Sequence, residues 1–573
     1  MSNIGKSKLI LVVFLFLIAP SLVGAVSVGD VEDFYVERNY DTLRREQISA
    51  VLVRITDKLL FYFEQDLWES LNALEKGKIS QSLNDLSKEF ERKIYPTLTS
   101  TFGPEAEFGV NEEKRTSVLI HSMVREAGGY FSSGDIYERI QYPKSNQRKI
   151  VYLNSRYIQQ PEVKGFLAHE FVHLITVNQK EILRNITEET WLNEARAEFA
   201  PTLMGYDNVF QGSNLQKRVN DFLNSPSVSL TEWLNKAEDY GAVNLFTQYL
   251  VDHYGVKILA DSLQSKEKGI ESINYALAKN GFNENFEQVF ANWLIALLLN
   301  DCQAGEKYCY LSENLQDIRV VPVSYYFSGP EVAFSTHQTI TYWGARWHKF
   351  AGLGDNFIFE FHGADQVEFE FPYVLCDLED NCSIEFLDLD ENQKGRIVVS
   401  EFGQKYSSLK TITFVKGKVS GFNGRQNYFS FSWEALVQRE PALGEKEEAI
   451  KNLLAQIEEL KKQIAELQAK INEKTGKDPD FIAPISCQKF DNNLYFGLRN
   501  DNRVKCLQEF LKNQGSEIYP QGLVTGNFLS LTQQAVVRFQ EKYAQEILAP
   551  LGLEKGTGYV GQMTREKINK MIE

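Results

Sequence analysis

Histidine and cysteine are scarce in this chain and positive charge is in deficit, and each shortage removes a class of function. Seven histidines in 573 residues give few ways to build an imidazole metal site, so a place where two fall close together stands out. Six cysteines include no C-x-x-C pair, which excludes a zinc ribbon with its paired knuckles. Sixty-one Lys and Arg against 77 Asp and Glu leave a formal net charge of −16. That balance argues against a nucleic-acid partner and for solubility, and it names no substrate. The apolar run Leu9 to Ile18 is too short to be a comfortable membrane-spanning helix.

The same run fits an export signal. Lys6 and Lys8 precede it, and Ser21, Leu22, Val23, Gly24 and Ala25 follow, with small residues where a signal peptidase reads. The expectation is a cleaved signal peptide over residues 1–25 and a mature chain starting near Val26, secreted or attached to the cell surface or wall. An uncleaved N-terminal anchor is the alternative. Cysteine placement agrees with export: Cys302 and Cys309, Cys376 and Cys382, and Cys487 and Cys506 form three close pairs, the spacing of local disulfides.

Two of the seven histidines stand four apart within Phe166 to Ala200, FLAHEFVHLITVNQKEILRNITEETWLNEARAEFA. On a helix, His169 and His173 share a face and can offer two imidazoles to one metal. Glu170, beside the first, keeps a carboxylate free to face a water on that metal. Glu194 comes 21 residues after His173, and Glu198 four further on, again on one helical face. Two neutral imidazoles and one carboxylate leave the fourth position of a tetrahedral zinc open, as hydrolysis requires. Without a metal, the apolar helix carrying Phe166, Leu167, Phe171, Val172, Leu174 and Ile175 would strand three polar groups.

These residues resemble the gluzincin metallopeptidases, whose HExxH is followed about twenty residues later by a helix carrying Glu and then an acid four further on. Here that second helix reads Trp191 to Glu198, WLNEARAE. The resemblance implies an α+β zincin-like catalytic domain with His169, His173 and Glu194 as zinc ligands and Glu170 as general base. Glu198 would accept from the far ring N–H of a ligand histidine and fix its orientation. Within the gluzincins, GGYFSSGD before the motif and YGAVNLFTQYLVDHYG after it are similar to secreted bacterial hyicolysin-type enzymes, over roughly Ile48 to Asp301. That likeness puts a tyrosine, Tyr240, at the start of the later helix as donor to the oxyanion of peptide hydrolysis, with His253 as runner-up.

The length allows about three to five domains. Residues 26–305 are expected to form the catalytic domain, an α+β lobe above a helical lower lobe that runs from about Ala200 to Asn300. Ile48 to Glu64 reads as two apolar strands around Thr56, Asp57 and Lys58, and Lys78 to Ile94 as a helix. Thr116 to His121 and Lys149 to Leu153 read as strands of a small sheet beside the motif helix, and an edge strand there is expected to bind substrate backbone. His121, with no ligand partner nearby, is expected to be a hydrogen-bonded structural histidine. From 306 to 440 the period becomes two: Val367, Phe369 and Phe371 alternate with Glu368 and Glu370, and similar short strands recur, implying a β-sandwich. His348 and His362 lie there without partners at ligand spacing. Asp388 to Asn392 is acidic enough for calcium but lacks the glycine spacing of a known loop, so it reads as a solvated turn.

Residues 445–475 form a charged helix with Ile450, Ile457, Ile464 and Ile471 at one heptad position and Leu453, Leu460 and Leu467 at another. Such a seam favours a parallel two-stranded coil and hence a homodimer, the alternative being a monomeric spacer helix. Residues 476–484, with Pro479 and Pro484, read as a linker. Residues 485–573 read as a small three-helix bundle, with stripes at Val504, Leu507, Phe510 and Leu511, then at Ala535, Val536, Phe539 and Tyr543 behind a capping box from Ser530 to Gln533, then from Thr564 to Met571. VKCLQEFLKNQG, YPQGLVTGNFLSLTQQAVVRFQEKY and GYVGQMTREKIN resemble the peptidoglycan-binding domains of cell-wall hydrolases, with Leu529 where that family usually has glycine. The whole reads as a secreted zinc metalloendopeptidase for polypeptide substrates, attached to the wall by its C-terminal module. Two other readings stand beside it: a hydrolase of peptidoglycan stem peptides, and a wall-attached adhesin with a vestigial site.

Overall fold

The structure, a computed structural model, describes residues 26–107, 113–329, 332–417, 426–438, 443–475, 487 and 489–572, with backbone alone for 443–449 and 468–475. The expected export signal and the linker 476–484 lie outside the described residues. The chain is a multidomain α/β protein with several sheets and many helices, and it divides into two compact units, 1–440 and 441–573. No helix among the described residues is long and apolar enough to cross a membrane.

The first unit opens with a six-stranded sheet of β1 (Val31–Tyr35), β2 (Gln47–Ile55), β3 (Leu59–Glu64), β4 (Thr116–His121), β5 (Gly129–Tyr130) and β6 (Ile150–Asn154). Its order is β1-β2-β3-β4-β6-β5, with β3, β4 and β6 parallel and β5 antiparallel at the end. Period-two alternation sorts the two faces. Leu59, Phe61, Phe63, Val118, Ile120, Val151 and Leu153 enter the core shared with the helices, while Leu60, Tyr62, Leu119, Ile150 and Tyr152 enter a smaller core on the other face. The strands expected at Thr116 to His121 and Lys149 to Leu153 are present, but both are internal. The edge beside the motif helix is β5, a two-residue strand in the GGY segment, too short and too glycine-rich to show a strand period.

Helices α1 (Gln65–Ser70), α2 (Ala73–Glu89) and α3 (Tyr95–Phe102) follow β3, and α4 (Val163–Thr176) and α5 (Thr190–Leu203) follow the sheet. Neither α4 nor α5 has a side-chain N-cap, so packing rather than capping holds them. Leu167, Phe171, Val172, Leu174 and Ile175 of α4 are all at most 1% exposed. The lower half is helical as expected: α6 (Asn214–Asn224), α7 (Ala237–Tyr254), α8 (Lys257–Leu263), α9 (Gly269–Lys279) and α10 (Phe286–Leu299).

Ten strands follow: β7 (Val323–Phe327), β8 (Ala333–Thr341), β9 (Ala345–Gly352), β10 (Asn356–Gly363), β11 (Glu368–Glu370), β12 (Pro372–Asp377), β13 (Cys382–Phe386), β14 (Lys394–Ser400), β15 (Tyr406–Lys416) and β16 (Tyr428–Gln438). They form one sheet in the order β14-β10-β16-β8 and another in the order β13-β12-β15-β9-β7, with β11 also on β15. Phe350, Phe357, Phe359, Phe361, Leu409 and Trp433 fill the space between them. The far face of the second sheet is also buried, because Trp347, Val374, Ile412 and Phe414 belong to the core that contains α10. Phe290 meets Phe414 at 5.3 Å.

His348 is buried against Trp433, and His362 is exposed on β10. In the acidic turn Asp390 accepts from the backbone amides of Asn392 and Lys394 at 2.8 and 2.9 Å, so that carboxylate closes a turn. All three cysteine pairs are disulfides: Cys302 with Cys309, Cys376 with Cys382, and Cys487 with Cys506.

In the second unit, α11 (Leu443–Thr475) leaves its seam uncovered: Ile450, Leu453, Ile457, Leu460, Ile464 and Leu467 are 42–60% exposed. The Ile471 side chain lies outside those described. Helices α12 (Asn502–Asn513), α13 (Ser530–Lys542), α14 (Ala544–Ile547) and α15 (Gln562–Ile572) surround one core that includes Val504, Leu507, Leu511, Ala535, Val536, Phe539 and Ile568. The expected capping box does not form. The helix starts at Ser530, and Leu529 occupies the cap position with no side-chain bond. A repeat appears that the stripes did not reveal. Gln508 accepts from the amides of Thr525 and Gly526 and donates to Thr532, and 32 residues on, Gln540 accepts from Thr557 and Gly558 and donates to Thr564. The same offset aligns Leu529 with Gly561.

Candidate metal centre

The motif helix and the helix after it face each other so that three side chains converge. His169 Nε2 lies 3.2 Å from His173 Nε2 and 3.3 Å from Glu194 Oε2, and His173 Nε2 lies 3.6 Å from Glu194 Oε2. Donors about 2.0–2.1 Å from a tetrahedral zinc stand about 3.3–3.4 Å from one another. The triangle therefore has the size of a zinc ligand set. Glu194 Oε2 is buried without a hydrogen-bond partner, a carboxylate oxygen that a cation would satisfy. The side chains of His169 and Glu194 keep 14% and 15% exposure, so one side of the triangle remains open to a further ligand.

Outward contacts decide which ring nitrogens point inward. His173 Nδ1 donates to Asn193 Oδ1 at 3.0 Å, and His169 Nδ1 faces Glu198 Oε1 at 3.5 Å. Each partner keeps the proton on Nδ1 and turns the Nε2 lone pair toward the centre. Glu198 is itself held by Arg218 of α6, which donates from Nη2 at 2.6 Å and Nε at 2.8 Å, and by Asn214 Nδ2 at 3.1 Å. The Arg218 guanidinium lies 4.7 Å over the Tyr240 ring.

Glu170 also lies within 4.8 Å of both histidines, so it competes with Glu194 as the third donor. Glu194 is nearer to both. Glu170 packs against Gly129 of β5, where an added Cβ would stand 3.1 Å from Glu170 Oε1 and 2.6 Å from Tyr152 O. One turn earlier on α4, Phe166 fills the space beside Gly128. The two glycines thus let the edge strand lie directly on the motif helix. Phe131, next along, stacks on His173 at 6.1 Å.

Burial pushes Glu170 up to about 7; Glu194 and Glu198 add to the rise and both histidines oppose it. Burial disfavours the charged form of His173, but the Glu194 carboxylate more than reverses this and raises it to about 9. His169 is raised in the same way, against burial, by the Glu194 carboxylate beside it. Glu194 is held well below the usual carboxylate range despite burial, by His173 and His169. With both imidazoles neutral, as ligation requires, three carboxylates stand against one guanidinium here, an excess of negative charge that favours a divalent cation.

His169, Glu170, His173, Glu194 and Glu198 are therefore brought together. Tyr240 stands in the first turn of α7, and its hydroxyl donates to Asn235 Oδ1 at 2.9 Å. Burial raises it above the ordinary phenol value, with Glu194 the largest charge contributor. His253 is elsewhere: it is thirteen residues further along α7, about 20 Å of helix rise, with Nε2 on Cys309 O at 2.8 Å. His121 is fully buried 3.6 Å from Asp41, and neither of its ring nitrogens has a hydrogen-bond partner. It is structural, but the expected hydrogen bond is replaced by packing between Asp41, Tyr130 and Tyr152. Sequence reasoning missed Asn193, Asn214, Arg218, Asn235 and Tyr40. Asn193 had a signal, as the neighbour of Glu194. The others come from segments joined to the site only by folding.

No family model matches the chain. Among solved structures it is similar to the pre-peptidase C-terminal domain of a collagenase from Bacillus anthracis, at 8% identity over 20% of this chain and 96% of that one, TM-score 0.14. A Yersinia pseudotuberculosis-derived mitogen matches at 10% identity over 20% and 92%, TM-score 0.14. The chain is 26% identical over 223 residues to the neutral metalloprotease ShpI of Staphylococcus hyicus, a match that covers 34% of this chain and 48% of ShpI. The chain thus spans about half the length of the curated relative it matches, and by that likeness it is similar to a metalloprotease.

Proposed function

We propose that the chain is an exported zinc-dependent metalloendopeptidase, catalytic over residues 26–305 with a zincin-like arrangement, and attached to peptidoglycan through residues 485–573. The observation that supports this most is the triangle of His169, His173 and Glu194 with Glu170 beside it. Similarity to a neutral metalloprotease agrees with it. In this reading residues 1–25 are the export signal, 306–440 a sandwich domain, 445–475 a spacer helix able to pair with a second copy, and 476–484 a linker.

His169, His173 and Glu194 would hold the metal. Zinc there supplies Lewis acidity, which makes a water nucleophilic near neutral pH and polarises a carbonyl. Glu170 takes the water proton on its carboxylate and passes it to the leaving amine nitrogen, a shuttle suited by a carboxyl raised to about 7. Asn193 and Glu198 hold the ring protons on Nδ1, with Arg218 keeping Glu198 ionised. Tyr240, protonated at neutral pH, donates to the oxygen that gains negative charge after turning from Asn235. The outer edge of β5 receives the substrate backbone as an added strand.

The test is to incubate purified mature protein with an unfolded protein and with wall fragments, each with and without chelator. Chelator-sensitive cleavage of the unfolded protein is expected. Cleavage of wall fragments alone would replace the substrate with stem peptides, and no cleavage of either would overturn the reading.

A further inference from the structure

A second phenol reaches this centre from a segment far from the motif. Tyr40 lies in the connection between β1 and β2, and that connection is firmly pinned. Asp41, 1% exposed, accepts from the backbone amides of Leu43 and Arg45 at 2.9 Å and from Arg45 Nη2 at 2.8 Å. Arg45 continues to Glu64 at 2.6 Å, and Val124 N donates to Tyr40 O at 2.9 Å. The Tyr40 ring stacks on Tyr130 with centroids 4.9 Å apart and 14° between planes. Tyr130 is the strand neighbour of Gly129, whose backbone lies against Glu170.

The hydroxyl end of Tyr40 approaches the amide to which Tyr240 donates. Tyr240 donates to Asn235 Oδ1 at 2.9 Å, and Asn235 is also a side-chain neighbour of the Tyr40 hydroxyl. Asn235 is exposed and left-handed, with φ 62°, so a solvent-facing turn residue stands near two phenols from opposite halves of the unit. Burial raises Tyr40 above the ordinary phenol value, and Glu170 and Glu194 are the site carboxylates that add to the rise.

We infer that Tyr40 is a substrate-contacting residue of this centre: its hydroxyl donates to a backbone carbonyl of the peptide lying along β5, on the Glu170 side, while Tyr240 serves the Glu194 side. Asn235 holds Tyr240 in place until a peptide carbonyl replaces it. The inference rests on the peptidase reading of the centre. It adds a contact from the N-terminal sheet that neither the motif nor the helix after it supplies.

Tyr40→Phe keeps the ring on Tyr130 and removes only the hydroxyl. In zinc-loaded protein, kcat/KM on an internally quenched peptide is expected to fall about tenfold, with Tm unchanged. A second readout needs no turnover: in Glu170→Gln protein, adding Tyr40→Phe should weaken binding of the same peptide about fivefold by fluorescence anisotropy. A fall in either sustains the inference. If wild-type protein cleaves the peptide and Tyr40→Phe stays within twofold in both measurements, the Tyr40 inference alone falls. If wild-type protein cleaves nothing but binds the peptide in a Tyr40-dependent way, only the peptidase reading falls. If it neither binds nor cleaves, both fall.

Discussion

At the scale of single residues, the proposed mechanism separates holding a metal from moving a proton. Glu194 closes the donor triangle at 3.3 and 3.6 Å, whereas Glu170 is turned to the edge strand. Glu194→Ala is therefore expected to lower zinc content measured by mass spectrometry. Glu170→Gln should keep about one zinc per chain and lose on the order of 10²–10⁴-fold in kcat; turnover at the wild-type rate would rule the mechanism out. A different buried group sets an acid limit. His348 is 1% exposed beneath Trp433, and burial, with Arg346 nearby, holds it down to about 4. Its folded value lies below the unfolded one, near 6.5, so its contribution is full above that pH and is lost as pH falls towards 4, on the order of 3 kcal/mol. Urea midpoints of residues 26–440 should fall over that window, and the His348→Gln protein should show a shallower fall. Equal slopes would remove His348 from the account.

At the scale of elements, β5 and α11 carry separate consequences. The glycine of β5 is required by contact, since a Cβ at position 129 would meet Tyr152 O at 2.6 Å and Glu170 at 3.1 Å. Gly129→Ala should reduce kcat/KM by about tenfold or more through displacement of Glu170, and unchanged kinetics would show that the strand yields instead. The α11 seam repeats Ile and Leu every seven residues and leaves them 42–60% exposed. The flanking heptad positions include Gln456, Gln463 and Lys461 and carry no opposed like charges that would prevent a parallel pair. Light scattering of the full chain should give a dimer mass, and Ile457→Asp with Ile464→Asp should give a monomer. A wild-type monomer at tens of micromolar would leave the helix as a spacer.

At the scale of the whole molecule, the two units have separate cores. Protein ending at residue 440 should therefore hydrolyse soluble peptides at nearly the full rate, while residues 487–573 alone should sediment with purified wall sacculi. Recovery no greater than that of an unrelated acidic protein would end the anchoring reading, and Leu529 would be the first residue to restore to glycine. The 32-residue recurrence of the Gln–Thr–Gly–Thr clasp gives a reason, because the second copy carries Gly561 at that position.

Local spacing made part of this legible in the sequence itself. His169, Glu170 and His173 lie within four positions of one another on one helix, Glu194 and Glu198 four apart on another, and the cysteine pairs lie 6 to 19 residues apart. Periods of 3.6, two and seven marked helices, sandwich strands and the α11 seam, because each is written in consecutive side chains. Contacts between distant segments had no such period. Only the tertiary structure placed Arg218 on Glu198, Tyr40 beside Asn235 and β5 rather than β4 or β6 at the edge, and only it set His253 on the Cys309 carbonyl. Those pairings depend on which buried faces find each other when the sheet, the lower helices and the sandwich share one core, a choice made by packing over the whole unit.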